Sequence, residues 1–343
     1  MRQTLAAGST KNDEQETLVN DSNALIILGM HRSGTSLLTG LLSQVGVRMG
    51  KRLYAPQKDV NEKGFWEHED IVDTHDELLL NLSSQWDDLL PLSDKWWEGD
   101  VVKPFVDRLN KLVRRDFSTA YVWALKDPRM CRLLPLWFPI FADQRIRPTF
   151  VCMNRNPFEV VASLQKRDHF SKEKALVLWL SHSLYAEFYS RGLPRVFIEF
   201  DEVVKNPAEV LLKIEQESNL VFPIPINEAY EKISSFVSPG LRHHKADATL
   251  QQPQEPLPRM AYDLYRTFSE RARDDKDSYE VIDSIAADFN AYQKKWSPEL
   301  VEQIRYLNQE RADYRVKFFQ IYTSWSWLSA KLLWLIEKSL RKY

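Results

Sequence analysis

Glycine is scarce in this chain, and half of it lies in one short stretch. Five of the ten glycines fall between residues 29 and 50, directly after an apolar run at residues 24–28. Such a run is typical of a strand buried on both faces. Apolar residues with helical spacing follow it, at Leu37, Leu38, Leu41, Leu42 and Val45. Because glycine adopts backbone conformations that other residues avoid, the sequence predicts a strand, a tight turn and a helix.

Three further apolar runs predict buried strands, at residues 121–125, 149–153 and 195–200. Helical patterns separate them, and this alternation predicts an α/β fold, a three-layer sandwich around a central parallel sheet. The Trp-rich segment 53–113 lies between the first two strands. We expect it to form helices and loops over the carboxyl ends of the strands, where open α/β sheets bind substrates.

The chain divides into four predicted regions. Residues 1–22 are polar and lack the apolar run of a secretory signal, which predicts a disordered arm. Residues 23–250 form the α/β domain, and a Pro- and Gln-rich linker with a helix occupies residues 251–298. Residues 299–343 are predicted to be a C-terminal helical extension.

Composition excludes several classes of protein. A chain of 343 residues with 44% hydrophobic composition can build a full-sized core. Its net charge of -2 argues against a nucleic-acid partner. The two cysteines, Cys131 and Cys152, are too few for a disulfide framework and indicate a reducing compartment. We therefore expect a cytoplasmic protein, located in the cytosol or peripherally at the inner face of the membrane.

The C-terminal extension is basic and amphipathic. Residues 311–343 hold seven basic and two acidic residues. Peripheral contact with an anionic membrane, a homodimer and docking on the chain's own domain are three interpretations of this pattern. Its apolar stripe consists of Ile321, Trp325, Leu328, Leu332 and Leu335.

The glycine-rich turn has the sequence features of an anion-binding site. Gly29 and Gly34 have the spacing of the nucleotide signature G-x-x-x-x-G-K-[ST], but Thr35 stands in place of the lysine. The cation, Arg32, lies inside the loop instead. Turn N–H groups and a helix N-terminus bind phosphate. The missing lysine argues against an ordinary ATP or GTP hydrolase.

A second set of polar residues follows the third strand. Arg155 leaves that strand at its carboxyl end, and Ser163 lies two helical turns further on. Both can address a second phosphate on the same side of the sheet as the loop.

Together the segments LGMHRSGTS and NRNPFEVVAS resemble the two signatures of the sulfotransferases that use 3'-phosphoadenosine 5'-phosphosulfate (PAPS). The resemblance covers roughly residues 24–250 and is closer to the bacterial and Golgi-type branches. It implies a P-loop-like fold in which one set of residues holds the 5'-phosphosulfate, while Arg155 and Ser163 hold the 3'-phosphate. The first set comprises Arg32, Ser33, Gly34, Thr35 and Ser36.

Three further segments are similar to elements of the family. Lys126, in Lys-Asp-Pro-Arg, matches a lysine beside the transferring sulfuryl group, and Glu67, in Gly-Phe-Trp-Glu, matches a catalytic glutamate. Glu69, Asp70 and His68 are close enough in sequence to compete with Glu67. A late basic loop, residues 239–245, resembles one that closes over the nucleotide, and it contributes Arg242 and His243.

The expected reaction is an in-line transfer of the sulfuryl group to a hydroxyl. Lys126 and Arg32 neutralise the charge that develops on the leaving oxygen, and Glu67 is the general base. PAPS is the donor, and no metal is expected. A carbohydrate is the leading acceptor because indole faces suit sugar rings, but a peptide tyrosine and a lipid head group remain open. The tryptophans concerned are Trp66, Trp86, Trp96, Trp97 and Trp123.

Two other functions compete with this interpretation. One is a P-loop-type nucleotide kinase or NTPase, and the other is a non-catalytic nucleotide-binding adaptor at a membrane surface.

Overall fold

The structure is a computed structural model that describes residues 22–56, 64–237, 252–271 and 276–323. Over these residues the chain forms one sheet of four parallel strands in the order β2-β1-β3-β4. The predicted α/β fold with a parallel central sheet is thereby confirmed. The strands are β1 (Ser22–Leu28), β2 (Val122–Lys126), β3 (Ile146–Asn154) and β4 (Arg195–Glu199).

Helices connect the strands and extend beyond the last of them. In the described part of the chain these are α1 (Thr35–Gln44), α2 (Glu69–Asn81), α3 (Lys103–Phe117), α4 (Met130–Leu133), α5 (Phe138–Asp143), α6 (Pro157–Asp168), α7 (Lys172–Ser190), α8 (Phe200–Lys205), α9 (Pro207–Ser218), α10 (Tyr230–Phe236), α11 (Pro256–Arg271), α12 (Lys276–Gln293) and α13 (Pro298–Thr323).

The central strand β1 is buried on both faces, as its apolar run predicts. Leu25 and Ile27 belong to a core that they share with α1, α9 and α10. Ala24, Ile26 and Leu28 point to the opposite face and pack into a core that includes α3 to α7. Successive strand residues point to opposite faces of the sheet, so helices cover both sides. The molecule has three layers.

The core on the second face extends into the helices that follow residue 250. Leu264 and Phe268 of α11 and Ile282 and Phe289 of α12 are buried in it together with Leu28 of the sheet. Helix α11 also contacts α6, α7 and β3. Helices α11 and α12 thus share the hydrophobic core of the α/β domain, although they lie beyond its predicted boundary.

Helix α13 rests against the end of α2 and the loop after it. Ala312 is buried, and the Ser83 hydroxyl donates a hydrogen bond to Gln309 Oε1 at 2.7 Å. No helix among the described residues is long and apolar enough to cross a bilayer. The predicted apolar stripe, from the side chain of Ile321 to Leu335, lies outside the described part of the chain.

The predicted boundary between the N-terminal arm and the α/β domain, at residues 22 and 23, differs from the structure. Residues 1–21 lie outside the described part of the chain, and Ser22, which the sequence placed in the disordered arm, is instead the first residue of β1. The Ser22 hydroxyl donates to the Ala120 carbonyl at 3.0 Å, which ties the start of β1 to the approach to β2.

Candidate anion-binding and catalytic site

Three neighbouring strands end at one edge of the sheet, and each ends in a candidate functional segment. β1 lies between β2 and β3, so the turn that starts at Gly29 is flanked by Lys126, the last residue of β2, and by Arg155, just after β3. Parallel strands bring their carboxyl ends to the same edge. The sheet order therefore assembles three segments that are separate in the sequence.

The turn after β1 has the backbone of an anion cradle. Arg32 and Gly34 have φ angles of 70° and 90°, in the left-handed region, and the Ser33 N–H donates to the Met30 carbonyl at 3.1 Å. Gly34 is the N-cap of α1. The N–H groups in the first turn of an α-helix have no acceptor within the helix, and they lie at the positive end of its dipole. The loop thus presents donors where the sequence predicts an anion.

The two sequence signatures meet at Arg32. The Arg32 Nε donates to the Ser163 hydroxyl at 2.8 Å, and the Arg155 Nη1 donates to the Arg32 carbonyl at 2.8 Å. Arg155 also forms an ion pair with Glu159 at 3.1 Å, and its guanidinium lies 4.0 Å from the centre of the Phe200 ring. Arg155 and Ser163 therefore face the loop, and Arg155 also fixes the loop's backbone.

Two further guanidinium groups act on Arg32, and each is paired with a carboxylate: Arg155 with Glu159 and Arg167 with Asp168. Burial lowers the pKa of Arg32, and the charges of Arg167 and Arg155 lower it further. A bound anion would relieve this repulsion, because it interacts favourably with all three guanidinium groups. Arg167 was not assigned a role from the sequence, although it lies one helical turn beyond Ser163 in α6 and so on the same face. That spacing is the signal that could have identified it.

Glu67 and Lys126 form a buried ion pair beside the loop. The Lys126 Nζ lies 2.5 Å from Glu67 Oε1, and the two side chains are 2% and 10% exposed. A buried carboxylate is stable only when it is paired, so the lysine holds Glu67 in a position that water hardly reaches. The two residues predicted for proton removal and charge stabilisation are thus in direct contact, although their catalytic roles remain predictions.

The side chains that compete with Glu67 have other partners. His68 Nε2 lies 2.6 Å from Asp116 Oδ2, and both groups are buried against α3. Glu69 and Asp70 both bind Arg52, at 2.9 and 2.7 Å, near the surface. Among these four neighbouring residues, Glu67 is the one that contacts Lys126.

The backbone around Glu67 is held in an unusual conformation. Trp66 has a φ of 58°, which is costly for a residue with a large side chain. The Tyr54 N–H donates to the Glu67 carbonyl at 3.0 Å, and Leu53 forms an antiparallel bridge with His68. Strained conformations of this kind persist where the surrounding contacts enforce them, and they cluster at functional sites.

Behind Lys126, a buried network fixes the start of the segment after β2. Asp127 forms an ion pair with Arg129 at 2.9 Å and accepts a hydrogen bond from His75 Nδ1 at 2.7 Å. Although burial raises the pKa of Asp127, these partners lower it below its ordinary value. Trp137 Nε1 donates to His75 Nε2 at 3.0 Å, so Nε2 is an acceptor and Nδ1 is the donor to Asp127. Asp127 is therefore a structural acid with its oxygens already engaged.

The five tryptophans of the predicted acceptor region do not form one surface. Trp123 and Trp96 are buried, and Trp123 stacks on Phe117. Trp97 packs edge-on against Trp96. Only Trp66, next to Glu67, and Trp86 border the candidate site. Trp86 contacts His31 of the loop with ring centres 4.5 Å apart.

His31 is a polar group of the site to which the sequence assigned no functional role. Its Nε2 is buried and has no hydrogen-bond partner within the described residues. Burial lowers the pKa of His31 well below its ordinary value, and the charges of Arg129, Arg167 and Lys126 act in the same direction. The imidazole is therefore neutral near pH 7.

Two of the predicted site residues lie outside the part of the chain that the structure describes. Arg242 and His243 lie in the segment 238–251, outside the described residues. Within the described ranges, no cluster of His, Cys, Asp and Glu side chains has the arrangement of a metal site. Cys131 and Cys152 are buried free thiols.

Comparisons with known proteins complete this description. No protein-family model and no curated protein matches the chain. Among the solved structures similar to it are two sulfotransferase domains. The domain from the Synechococcus PCC 7002 olefin synthase is 17% identical, with a TM-score of 0.40, over 78% of this chain and 95% of that one. The domain from the curacin biosynthetic pathway is 13% identical, with a TM-score of 0.37, over 77% and 98%.

Proposed function

We propose that this chain is a sulfotransferase that moves a sulfuryl group from PAPS to a hydroxyl acceptor. The observation that carries the proposal is the position of the buried Glu67–Lys126 pair, 2.5 Å apart, at the strand end next to the cationic turn. The pair supplies a carboxylate and an ammonium group, and the turn supplies donors for an anionic donor molecule.

The residues of the turn suit a donor that carries several negative charges. Burial lowers the pKa of Arg32, and the charges of Arg167 and Arg155 lower it further, so a bound anion would interact favourably with all three groups. We assign the 5'-phosphosulfate to Arg32 and the start of α1, and the 3'-phosphate to Arg155 and Ser163. PAPS supplies an activated sulfuryl group whose leaving phosphate is a weak base.

For the transfer, the protein must act on two oxygen atoms, that of the attacking hydroxyl and the leaving oxygen of the donor. Glu67 accepts the proton of the attacking hydroxyl, and Lys126, which holds Glu67 before reaction, donates hydrogen bonds to the oxygen on which charge develops. Arg32 adds a second cation at the same end of the sheet. The near-complete burial of Lys126 strengthens these electrostatic interactions, because little water screens them.

For the acceptor we propose a carbohydrate hydroxyl. Trp66 and Trp86 border the site and are half-buried, so part of each indole remains available for contact with the apolar face of a sugar ring. We further propose that the reaction takes place in the cytoplasm, where an acceptor attached to a lipid would be met at the inner face of the membrane.

Ligand-induced stabilisation tests the donor. A shift in the melting temperature with adenosine 3',5'-bisphosphate is expected, because a ligand at 100 times its Kd stabilises by about 2.7 kcal/mol. ATP with Mg²⁺ should have little effect. The reverse pattern would identify a nucleotide kinase or NTPase instead.

A radiolabelled donor tests the reaction. Incubation of the protein and ³⁵S-labelled PAPS with a panel of glycans, tyrosine peptides and lipid head groups should label glycans, and the variant Glu67→Gln should not. Binding of the bisphosphate without transfer to any member of the panel would favour a non-catalytic adaptor.

A further inference from the structure

The loop that carries Trp86 lies between the candidate site and the C-terminal helix. We call residues 82–92 the Trp86 loop. They contain no regular secondary structure and connect α2 to the segment before α3. A loop without its own backbone ladder takes its position from contacts with other elements, so those contacts decide where Trp86 lies.

Helix α13 contacts alternate residues of this loop. The Ser83 hydroxyl donates to Gln309 Oε1 at 2.7 Å, and Gln85 Nε2 donates to Asn308 Oδ1 at 3.1 Å. Asp87 Oδ1 lies 3.5 Å from Arg311 Nη1. Ser83, Gln85 and Asp87 therefore face α13, at three places within about one turn of that helix.

Trp86 lies between those residues in sequence and contacts the site instead. Its ring is 4.5 Å from the His31 ring and 5.8 Å from the Phe170 ring, and the Arg167 guanidinium lies 5.8 Å from its centre. His31 directly precedes Arg32 in the anion-binding turn. Neighbouring residues of the loop thus contact two different elements: Ser83, Gln85 and Asp87 contact α13, and Trp86 contacts the candidate site.

Other anchors fix the rest of the loop. Arg132, which is buried, donates to the carbonyls of Gln85 and Leu90 at 2.9 and 3.0 Å, and Gln293 Nε2 donates to the Leu89 carbonyl at 3.0 Å. Lys174 forms an ion pair with Asp87 at 2.7 Å. These contacts keep the loop near the sheet and hold the Gln85 carbonyl and the Asp87 carboxylate on either side of Trp86. Helix α13 adds a second set of contacts, to the side chains of Ser83, Gln85 and Asp87.

We propose that the docked segment of α13, through Asn308, Gln309 and Arg311, positions Trp86 against His31 and so sets the affinity for the acceptor. The inference rests on the proposed sulfotransferase function, since it assigns Trp86 to the acceptor side of that site. The three α13 residues are positioning residues that do not touch the substrate. The donor residues Arg155 and Ser163 are anchored by Arg32 and Glu159, so we expect donor affinity to change much less than acceptor affinity when α13 is undocked.

The position of Trp86 matters because the adjacent His31 can accept a hydrogen bond from the acceptor molecule. The buried His31 Nε2 has no partner among the described residues, while Lys126, Arg129 and Arg167, whose charges act on it, are donors only. A neutral imidazole with its proton on Nδ1 can accept a hydrogen bond from a hydroxyl at Nε2. A polyhydroxylated ring that stacks on Trp86 would present such a hydroxyl to His31.

Undocking α13 in the full-length chain tests the proposal. Arg311→Glu reverses the charge opposite Asp87, and the side chain is 55% exposed, so the fold should tolerate the change. Arg305→Glu makes the same change at an exposed position of the same helix and is the matched control. Ala312→Glu, at a buried position of α13, is a stronger variant for the same purpose.

Two measurements separate positioning from general damage. Hydrogen–deuterium exchange should become faster in the peptide that contains residues 82–92 in Arg311→Glu and Ala312→Glu, but not in Arg305→Glu. In steady-state assays with a glycan that the wild type labels, the acceptor KM should rise about tenfold, a typical coupling between sites. The value of kcat and the Kd of adenosine 3',5'-bisphosphate should stay within about twofold, well below that coupling.

Several results would overturn the proposal. Unchanged exchange in the loop would show that α13 does not hold it, and faster exchange with an unchanged KM would show that its position does not matter to the acceptor. An equal loss of bisphosphate affinity would show that the variants disturb the whole site. If the wild type binds no bisphosphate and labels no acceptor, the proposed function itself fails, and the exchange data then report only on the contact between α13 and the loop.

Discussion

Lys126 Nζ and Glu67 Oε1 lie 2.5 Å apart, although 59 residues separate them in the sequence. The lysine ends β2, an edge strand of the described sheet, and the glutamate precedes α2, so the contact forms only when α2 packs over the end of the sheet. A pair of this kind sustains both charges in a buried site, which neither residue could do alone.

Replacing Glu67 tests its assignment as the general base. Glu67→Gln keeps the size of the side chain and an acceptor for Lys126, but it cannot take a proton. We expect kcat to fall by a factor on the order of 10² to 10⁴ while donor affinity is retained. Glu69→Gln and His68→Ala are the comparisons, and a fall of that size in either, with Glu67→Gln active, would mean that the base is misassigned.

Ser163 and Arg155 test the site for the 3'-phosphate. Ser163→Ala removes a hydroxyl that contacts Arg32 at 2.8 Å and leaves the backbone of the turn in place. By isothermal titration calorimetry, it and Arg155→Ala should weaken adenosine 3',5'-bisphosphate binding much more than adenosine 5'-phosphosulfate binding. Equal losses for the two nucleotides would refute the assignment. Because Arg155 also holds the Arg32 carbonyl, Ser163→Ala is the cleaner variant.

Gly34 tests how tightly the turn is packed. An added Cβ would lie 2.4 Å from a Phe200 ring carbon, and the φ of 90° is itself unfavourable for alanine. Gly192 also has a positive φ, 75°, but open space around it, so Gly192→Ala reports the backbone strain alone. Gly34→Ala should lower the free energy of unfolding by about 1–3 kcal/mol more than Gly192→Ala, as overpacking does. Urea denaturation measures both, and equal costs would show that Phe200 moves away freely.

Glu199 should make the stability of the protein depend on pH. Burial raises the pKa of Glu199 to about 7 from an ordinary value of 4.5, and the charges of Glu202 and Asp201 contribute. The folded state then binds more protons than the unfolded state between these two values, so stability falls as the pH rises through this interval.

The variant Glu199→Gln should remove that dependence. Its stability relative to the wild type should increase as the pH rises from 4.5 to 7. At pH 8 the gain should be on the order of 2 kcal/mol. Urea denaturation at pH 5 and pH 8 gives the comparison, with Glu217→Gln at an exposed position of α9 as the control. A gain of the same size at both pH values would contradict the assignment to Glu199.

Local patterns in the sequence determined the strands, the turn and much of the helix content. A run of five apolar residues such as 24–28 can be buried on both faces only as a central strand, and the glycines after it permit the positive φ that the turn requires. The parallel sheet and the helices on both of its faces follow from the alternation of apolar strand runs with segments of helical spacing. The residues at the ends of the first three strands could therefore be named in advance.

Tertiary structure decided which of these residues meet. The sequence left Glu67, His68 and Glu69 as rivals, because residues next to each other in a chain have equal access to a distant partner until the fold turns one of them inward. It is the bridge between Leu53 and His68, together with the pairing of His68 with Asp116, that directs Glu67 towards Lys126. Likewise, nothing in the local pattern of residues 82–92 or of α13 indicates that they meet, since the polar contacts between them join positions more than 220 residues apart. Contacts of this kind depend on the packing of whole elements, which a local period in the sequence does not encode.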